Sequence, residues 1–260
     1  MTSEPDQNDV AIIVSSCDAY SDAWDPFFTL FFRYWPDCPF PIYLISNRQS
    51  CDDSRVTTIG IEDDQAWASN LLTALDQVPA RQLIYFQEDY FLQQPVSTDR
   101  IRSLLEFARQ EEAGFIRVCG APDPAIPHEN EFGLGVLAPG QKFRVSLQAA
   151  IWDRSTLMQL LVPGENGWQM EIDGSRRSDL LTAKFFACYM NRPIIDYYFF
   201  TGILKGKWVP GALRLCQREG IAVDTSRRDT HGEWPFIVRR FRNLKVVRTA
   251  RAFLRARRAA

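Results

Sequence analysis

Ten residues, Leu83–Leu92, constrain this chain more than any others; they read LIYFQEDYFL. Leu83-Ile84-Tyr85-Phe86 is a short apolar run rich in branched and aromatic side chains, the pattern of a strand buried on both faces. It runs into Gln87-Glu88-Asp89 and returns to Tyr90-Phe91-Leu92. Two adjacent carboxylates between apolar segments are costly to bury unless they are paired or hold a cation. In open α/β sheets ligands bind at the carboxyl ends of strands, which is where this pair falls. Hard divalent cations such as Mg²⁺ or Mn²⁺ take carboxylate oxygens and bridge them to substrate phosphates. A metal-diphosphate site is one reading. An acidic strand end facing water, or a carboxylate capping the next helix, is the other.

The chain upstream alternates. Val10–Ser16 is expected as a first strand, Trp24–Tyr34 as a helix stopped by Pro36, and Pro41–Asn47 and Val56–Ile61 as strands. Ala66–Val78 is an amphipathic helix with Trp67, Leu71, Leu72 and Leu75 on one side. Such alternation predicts an α/β layout around a largely parallel sheet. The first strand opens into Ser16-Cys17-Asp18-Ala19-Tyr20, either a nucleotide-holding loop or an ordinary strand-to-helix turn capped by Asp18 or Ser21.

Beyond this, Thr98–Glu112 is expected as a helix and residues 114–118 as a strand. Residues 120–141, with four prolines and four glycines, are expected as irregular chain, Phe143–Ala150 as a strand, and Ile151–Leu161 as a helix. A cluster follows: Gly167-Trp168-Gln169-Met170-Glu171 and then Gly174-Ser175-Arg176-Arg177-Ser178. Glu171 could act as a general base beside an acceptor hydroxyl, and Arg176 or Arg177 could neutralise phosphate. Alternatively Trp168 is core, Glu171 opens a helix running to Met190, and the arginines are a solvated face. His128 and His231 are far apart, which argues against zinc.

Composition narrows the field. With 46% apolar and 13% aromatic residues in 260, the chain has enough material for a sizeable core. Six cysteines without a CxxC pair and a polar first nine residues suit a reduced, cytoplasmic protein whose residues 1–9 are a disordered lead. No run of 18 apolar residues is present. From Trp234 to Ala260 there is no acidic residue, and nine Lys and Arg alternate with an apolar stripe at helical spacing. This basic amphipathic helix (residues 229–260) suits an anionic membrane surface at the inner face of the cytoplasmic membrane. A helix packed on its own domain, or a nucleic-acid arm, are the alternatives; the acidic first ninety residues argue against nucleic acid.

Together these stretches resemble bacterial GT-A-fold glycosyltransferases of the surface-polysaccharide (capsule or O-antigen) type. The stretches that carry the likeness are VAIIVSSCDAYSDAWDPF, the Trp67 helix, LIYFQEDYFL, SLQAAIWDRSTL, GWQMEIDGSRRS and ILKGKWVPGALRLCQREGI, over residues 10 to 225. The resemblance implies a Rossmann-like α/β/α sandwich over residues 10–228, with a nucleotide-sugar half (about 10–120) and an acceptor half (about 121–228). It implies Mg²⁺ or Mn²⁺ on Asp89, with Ser16, Cys17, Asp18, Tyr20, Asn47 and Glu88 around the donor nucleotide. It implies Glu171 as the catalytic base of an inverting transfer, with Trp168, Arg176 and Arg177 at phosphate or acceptor. The acceptor would be a saccharide or a lipid-linked saccharide. One departure weakens the metal clamp: the family motif is Asp-x-Asp, and its first position here is Gln87.

Overall fold

A computed structural model describes residues 9–198 and 201–232. Residues 1–8 of the expected lead (1–9) and residues 233–260 of the expected basic tail (229–260) lie outside the described residues. Strand β1 (Val10–Ser15) is buried at every position and leads through a 3-10 turn (Asp18–Ala23) into α1 (Trp24–Tyr34). Then come β2 (Ile42–Ser46), β3 (Val56–Gly60), α2 (Trp67–Leu75) and β4 (Gln82–Gln87). The upstream alternation therefore folds as its periodicity predicts. Next are α3 (Thr98–Gln110), capped by the Ser97 side chain, and β5 (Ala113–Arg117).

The second half departs from expectation in three places. Residues 120–141 carry two short strands, β6 (Ile126–Pro127) and β7 (Leu134–Val136), too brief for an alternating pattern to show. Residues 143–149 are not a strand. Phe143 has a φ of 57°, which breaks an extended run, and Gln148 turns its side chain onto the backbone N–H and C=O of Ala121. The strand is β8 (Ala150–Asp153), so Ile151 and Trp152 are strand rather than helix. Asp153 accepts a bond from Thr156 N at 2.8 Å and starts α4 (Arg154–Leu160). The helix opening near Glu171 stops well short of Met190. It runs as α5 (Gly167–Gln169), a π-helical turn (Met170–Gly174) and α6 (Ser175–Ser178), and β9 (Lys184–Cys188) follows.

Nine strands form one sheet in the order β3-β2-β1-β4-β8-β5-β9-β7-β6. The pairs β1–β2, β2–β3, β1–β4 and β5–β9 are parallel, while β8 is antiparallel to both β4 and β5. Strands from both sides of residue 120 thus share one sheet. From β1 the chain moves outward to β2 and β3, then crosses back to place β4 on the other flank of β1. The crevice beyond the carboxyl ends of β1 and β4 is therefore the topological switch point. Leu83, Ile84, Tyr85 and Phe86 are each at most 1% exposed. At about 1.5–3 kcal/mol for each fully buried large side chain, this strand is a major fixed point of the core.

The described residues fall into two compact units, dividing between Thr201 and Gly202. In the second, β10 (Ile203–Leu204) and β11 (Lys207–Trp208) pair antiparallel around Lys205 and Gly206, both at positive φ, as a tight hairpin requires. Helix α7 (Pro210–Arg218) opens on proline at its first position, where a missing N–H leaves no intrahelical bond unmade. No helix of the described residues is long and apolar enough to cross a membrane.

Candidate functional site at the head of β1 and β4

Glu88 and Asp89 leave β4 at the switch point, and both are buried, at 8% and 4% exposure. One Asp89 oxygen, Oδ2, accepts a hydrogen bond from the Thr201 hydroxyl. Tyr90, the next residue, is buried and stacks on Tyr197, with ring centroids 4.7 Å apart and 20° between planes. Its hydroxyl donates to Leu147 O at 3.0 Å, and Leu147 N donates to Glu171 Oε1 at 2.9 Å. A short path thus joins the acidic motif to Glu171, although 82 positions separate Asp89 from Glu171 in sequence. Burial holds the Tyr90 phenol well above its usual range, with Tyr197, Asp89 and Glu171 all adding to the effect. Glu171 lies on the π-helical turn, a local widening of the helix common at functional positions. Burial raises its pKa, and the Leu147 N–H and the charge of Arg117 oppose the rise without cancelling it.

The loops after β1 and β2 are bonded to each other. Asp18 Oδ1 accepts from Ser46 Oγ at 2.8 Å and from the N–H groups of Asn47, Arg48 and Gln49, each at 3.1 Å. Asn47 returns the contact, its Oδ1 accepting from Asp18 N at 3.1 Å. Partial desolvation works against the Asp18 charge, but the donors of Gln49, Ser46, Arg48 and Asn47 outweigh it and its pKa falls. Asp18 therefore staples two loops together. Ser16 Oγ accepts from Trp24 Nε1 at 2.7 Å, and Tyr20 N donates to Cys17 O at 2.9 Å. Burial pushes the Cys17 thiol upward.

Trp67, expected only as a helix residue, is tied to the end of β1: its indole N–H donates to Ser15 Oγ at 3.1 Å. The residue before it, Ala66, has φ 146° and ψ 161°, a region normally reserved for glycine that costs alanine about 1–3 kcal/mol. Surrounding bonds enforce it: Asn70 N donates to Ala66 O, and Ala68 N to Glu165 O. Tyr90, Leu147 and Thr201 were missed as well. Tyr90 was signalled only by adjacency to the acidic pair, and Leu147 and Thr201 carry no sequence signal.

The remaining residues of the GWQMEIDGSRRS stretch divide. Trp168 is 69% exposed, so it is not core. Arg176 pairs with Asp173 at 2.7 Å on the surface. The Arg177 guanidinium reaches Glu165 at 2.6 Å and Leu160 O at 2.7 Å.

The expected Mg²⁺ or Mn²⁺ can be tested against the donor set. Among the described residues no group of three His, Cys, Asp or Glu converges on one point. Glu88 and Asp89 instead supply a pair of hard oxygen donors on adjacent buried residues. Mg²⁺ is commonly held by one or two carboxylates, with water and substrate phosphates completing the shell. The residues fit a cation that arrives with a diphosphate, and not one caged by the protein alone.

No protein-family model matches the chain, and no curated protein matches it in sequence. Solved structures do match in shape. Staphylococcus aureus TarS 1–349 in complex with UDP superposes with a TM-score of 0.51 at 10% identity, over 84% of this chain and 67% of that one. The same protein with UDP-GlcNAc gives 0.44 at 8% identity, over 69% and 58%. A cytidylyltransferase from Leptospira borgpetersenii gives 0.41 at 13% identity, over 74% and 80%. The chain spans 60% of TarS 1–349 in one structure and 36% of the longer TarS structure. What these matches share with this chain is the fold, a GT-A-like α/β arrangement.

Proposed function

We propose that this chain is a nucleotide-sugar-dependent glycosyltransferase that transfers a hexosyl or related sugar to a saccharide or lipid-linked acceptor in cell-surface polysaccharide synthesis. The observation that carries the reading is a buried carboxylate pair at the switch point, joined through Tyr90 and Leu147 to Glu171, a half-buried carboxylate with a raised pKa. Two carboxylate sites in different environments suit two tasks, holding the leaving group and moving a proton.

In this reading the donor nucleotide lies against the loops of Ser16–Tyr20 and Asn47, and its diphosphate faces Asp89 and Glu88. Those two residues would hold Mg²⁺ or Mn²⁺, which when bound offsets the charge that builds on the departing diphosphate. Glu171 takes the proton of the acceptor hydroxyl while that oxygen forms its bond to the anomeric carbon. The bond from that carbon to the diphosphate breaks, its electron pair leaves with the nucleotide, and the anomeric centre inverts. Trp168 offers an exposed flat face to an acceptor sugar, and Arg176 supplies a surface cation beside it. The basic segment beyond residue 232 would hold the enzyme on an anionic membrane surface where a lipid-linked acceptor resides.

The fold-mate TarS has been captured with UDP and UDP-GlcNAc, so UDP-sugars are the first donors to test. The experiment is nucleotide release from UDP-, GDP-, CMP- and dTDP-sugars, with and without Mn²⁺. Release from one of them supports transfer. Nucleotide binding with no release from any would favour a non-catalytic nucleotide- or carbohydrate-binding protein, the reading that Gln87, in place of the motif's first carboxylate, supports.

A further inference from the structure

We propose that Thr201 is a positioning residue that sets the orientation of the Asp89 carboxylate. This rests on the reading that places Asp89 in the donor site. Thr201 Oγ1 donates to Asp89 Oδ2, so one carboxylate oxygen is tied. The threonine sits at φ 70°, a left-handed conformation that a branched side chain rarely adopts. Such strain persists only where surrounding contacts enforce it, and those contacts are present.

The segment leading to Thr201 is laced to the acidic motif. Ile194 N and Ile195 N both donate to Val118 O, at 2.9 and 3.2 Å, which starts the segment at the carboxyl end of β5. Gln93 binds Asp196 twice, backbone to backbone at 3.1 Å and side chain to side chain at 2.8 Å. Leu92 and Tyr197 form an antiparallel bridge, and Tyr198 N donates to Phe91 O at 2.7 Å. The Tyr90–Tyr197 stack fills the space beneath. Thr201 N donates to Tyr198 O at 3.3 Å, and the Thr201 hydroxyl reaches Asp89. The strained residue thus ends a segment registered residue by residue against Tyr90–Gln93. Carboxylate orientation decides how well an ion and a diphosphate share its oxygens, so the hydroxyl should act on donor affinity through Asp89.

The test is calorimetric titration of UDP, GDP and CDP, each with and without MnCl₂, into wild type, Thr201→Val, Thr201→Ser, Thr201→Gly and Asp89→Asn, with thermal unfolding of each protein alongside. Thr201→Val keeps the shape and removes the hydroxyl, and it should weaken Mn²⁺-dependent binding of the preferred nucleotide on the order of tenfold. Thr201→Ser should stay within about twofold of wild type, because the donor is retained. Thr201→Gly should bind as poorly as the valine variant yet unfold no earlier, since glycine relaxes the backbone. Equal affinity in wild type and Thr201→Val, with Asp89→Asn impaired, overturns the positioning role alone. Unchanged affinity in Asp89→Asn overturns the donor-site reading and this inference with it. A serine variant as weak as valine shows that packing, not the hydroxyl, matters, and also overturns the proposal.

Discussion

The two ends of the central sheet are built differently. At the amino end, where β4 and β5 begin, a cavity of about 620 Å³ is lined by Arg81, Gln82, Arg109, Glu112, Asp153 and Thr156, among others. Its polar groups satisfy one another. Arg109 bonds Gln82 at 2.6 Å and Glu106 at 2.7 Å, Gln82 bonds Leu105 O at 3.0 Å, and Asp153 caps α4. At the carboxyl end, by contrast, carboxylates are buried, Glu171 is perturbed, and Ala66 and Thr201 hold conformations their side chains resist. The amino end is a set of ordinary caps and surface pairs, and the end that stores strain and buried charge is the one at the topological switch point.

The contrast breaks first at Glu171. Glu171→Gln keeps the acceptor for Leu147 N and removes the base, so kcat should fall about 10²-fold or more while nucleotide affinity stays nearly unchanged. Steady-state kinetics beside calorimetry checks this, and normal turnover would reduce Glu171 to a strut beneath Leu147.

A smaller effect is expected in the pH profile. A base must be deprotonated to act, and burial raises Glu171 above its ordinary 4.5. Turnover should therefore rise with pH on an acid limb whose midpoint lies above 4.5, and that limb should vanish in the residual activity of Glu171→Gln. A limb at or below the ordinary value would place the working base elsewhere.

The upstream half was legible because its signals are local. Continuous apolar runs, one amphipathic helix and a proline stop define β1 to β4 without help from distant residues. The acidic pair was legible as a candidate for the same reason. Residues 120–190 were less so. Three-residue strands such as β7 have no period to detect, and the switch from strand to helix at Asp153 depends on its side-chain cap on Thr156. The mutual bonding of Asp18 and Asn47, the commitment of Arg177 to Glu165 and the latch of Thr201 on Asp89 join residues 12 to 112 positions apart. No single-sequence pattern encodes pairings of that kind.

The smallest effect is expected at the amino end. Arg109 is partly exposed, its ion pair with Glu106 is a surface pair, and its bond to Gln82 is a single hydrogen bond. Arg109→Ala should cost about 1 kcal/mol in urea unfolding and leave kcat unchanged. A large loss of turnover would mean that the two ends are not functionally distinct.

The most direct measurement is amide hydrogen exchange in the presence of UDP, GDP, CDP or UDP-GlcNAc with MnCl₂, read peptide by peptide. The account requires slowed exchange in the segments holding Cys17–Tyr20, Asn47 and Glu88–Tyr90, with residues 108–114 and 153–159 unchanged. Protection confined to those amino-end segments would contradict it, as would nucleotide binding that leaves residues 88–90 untouched.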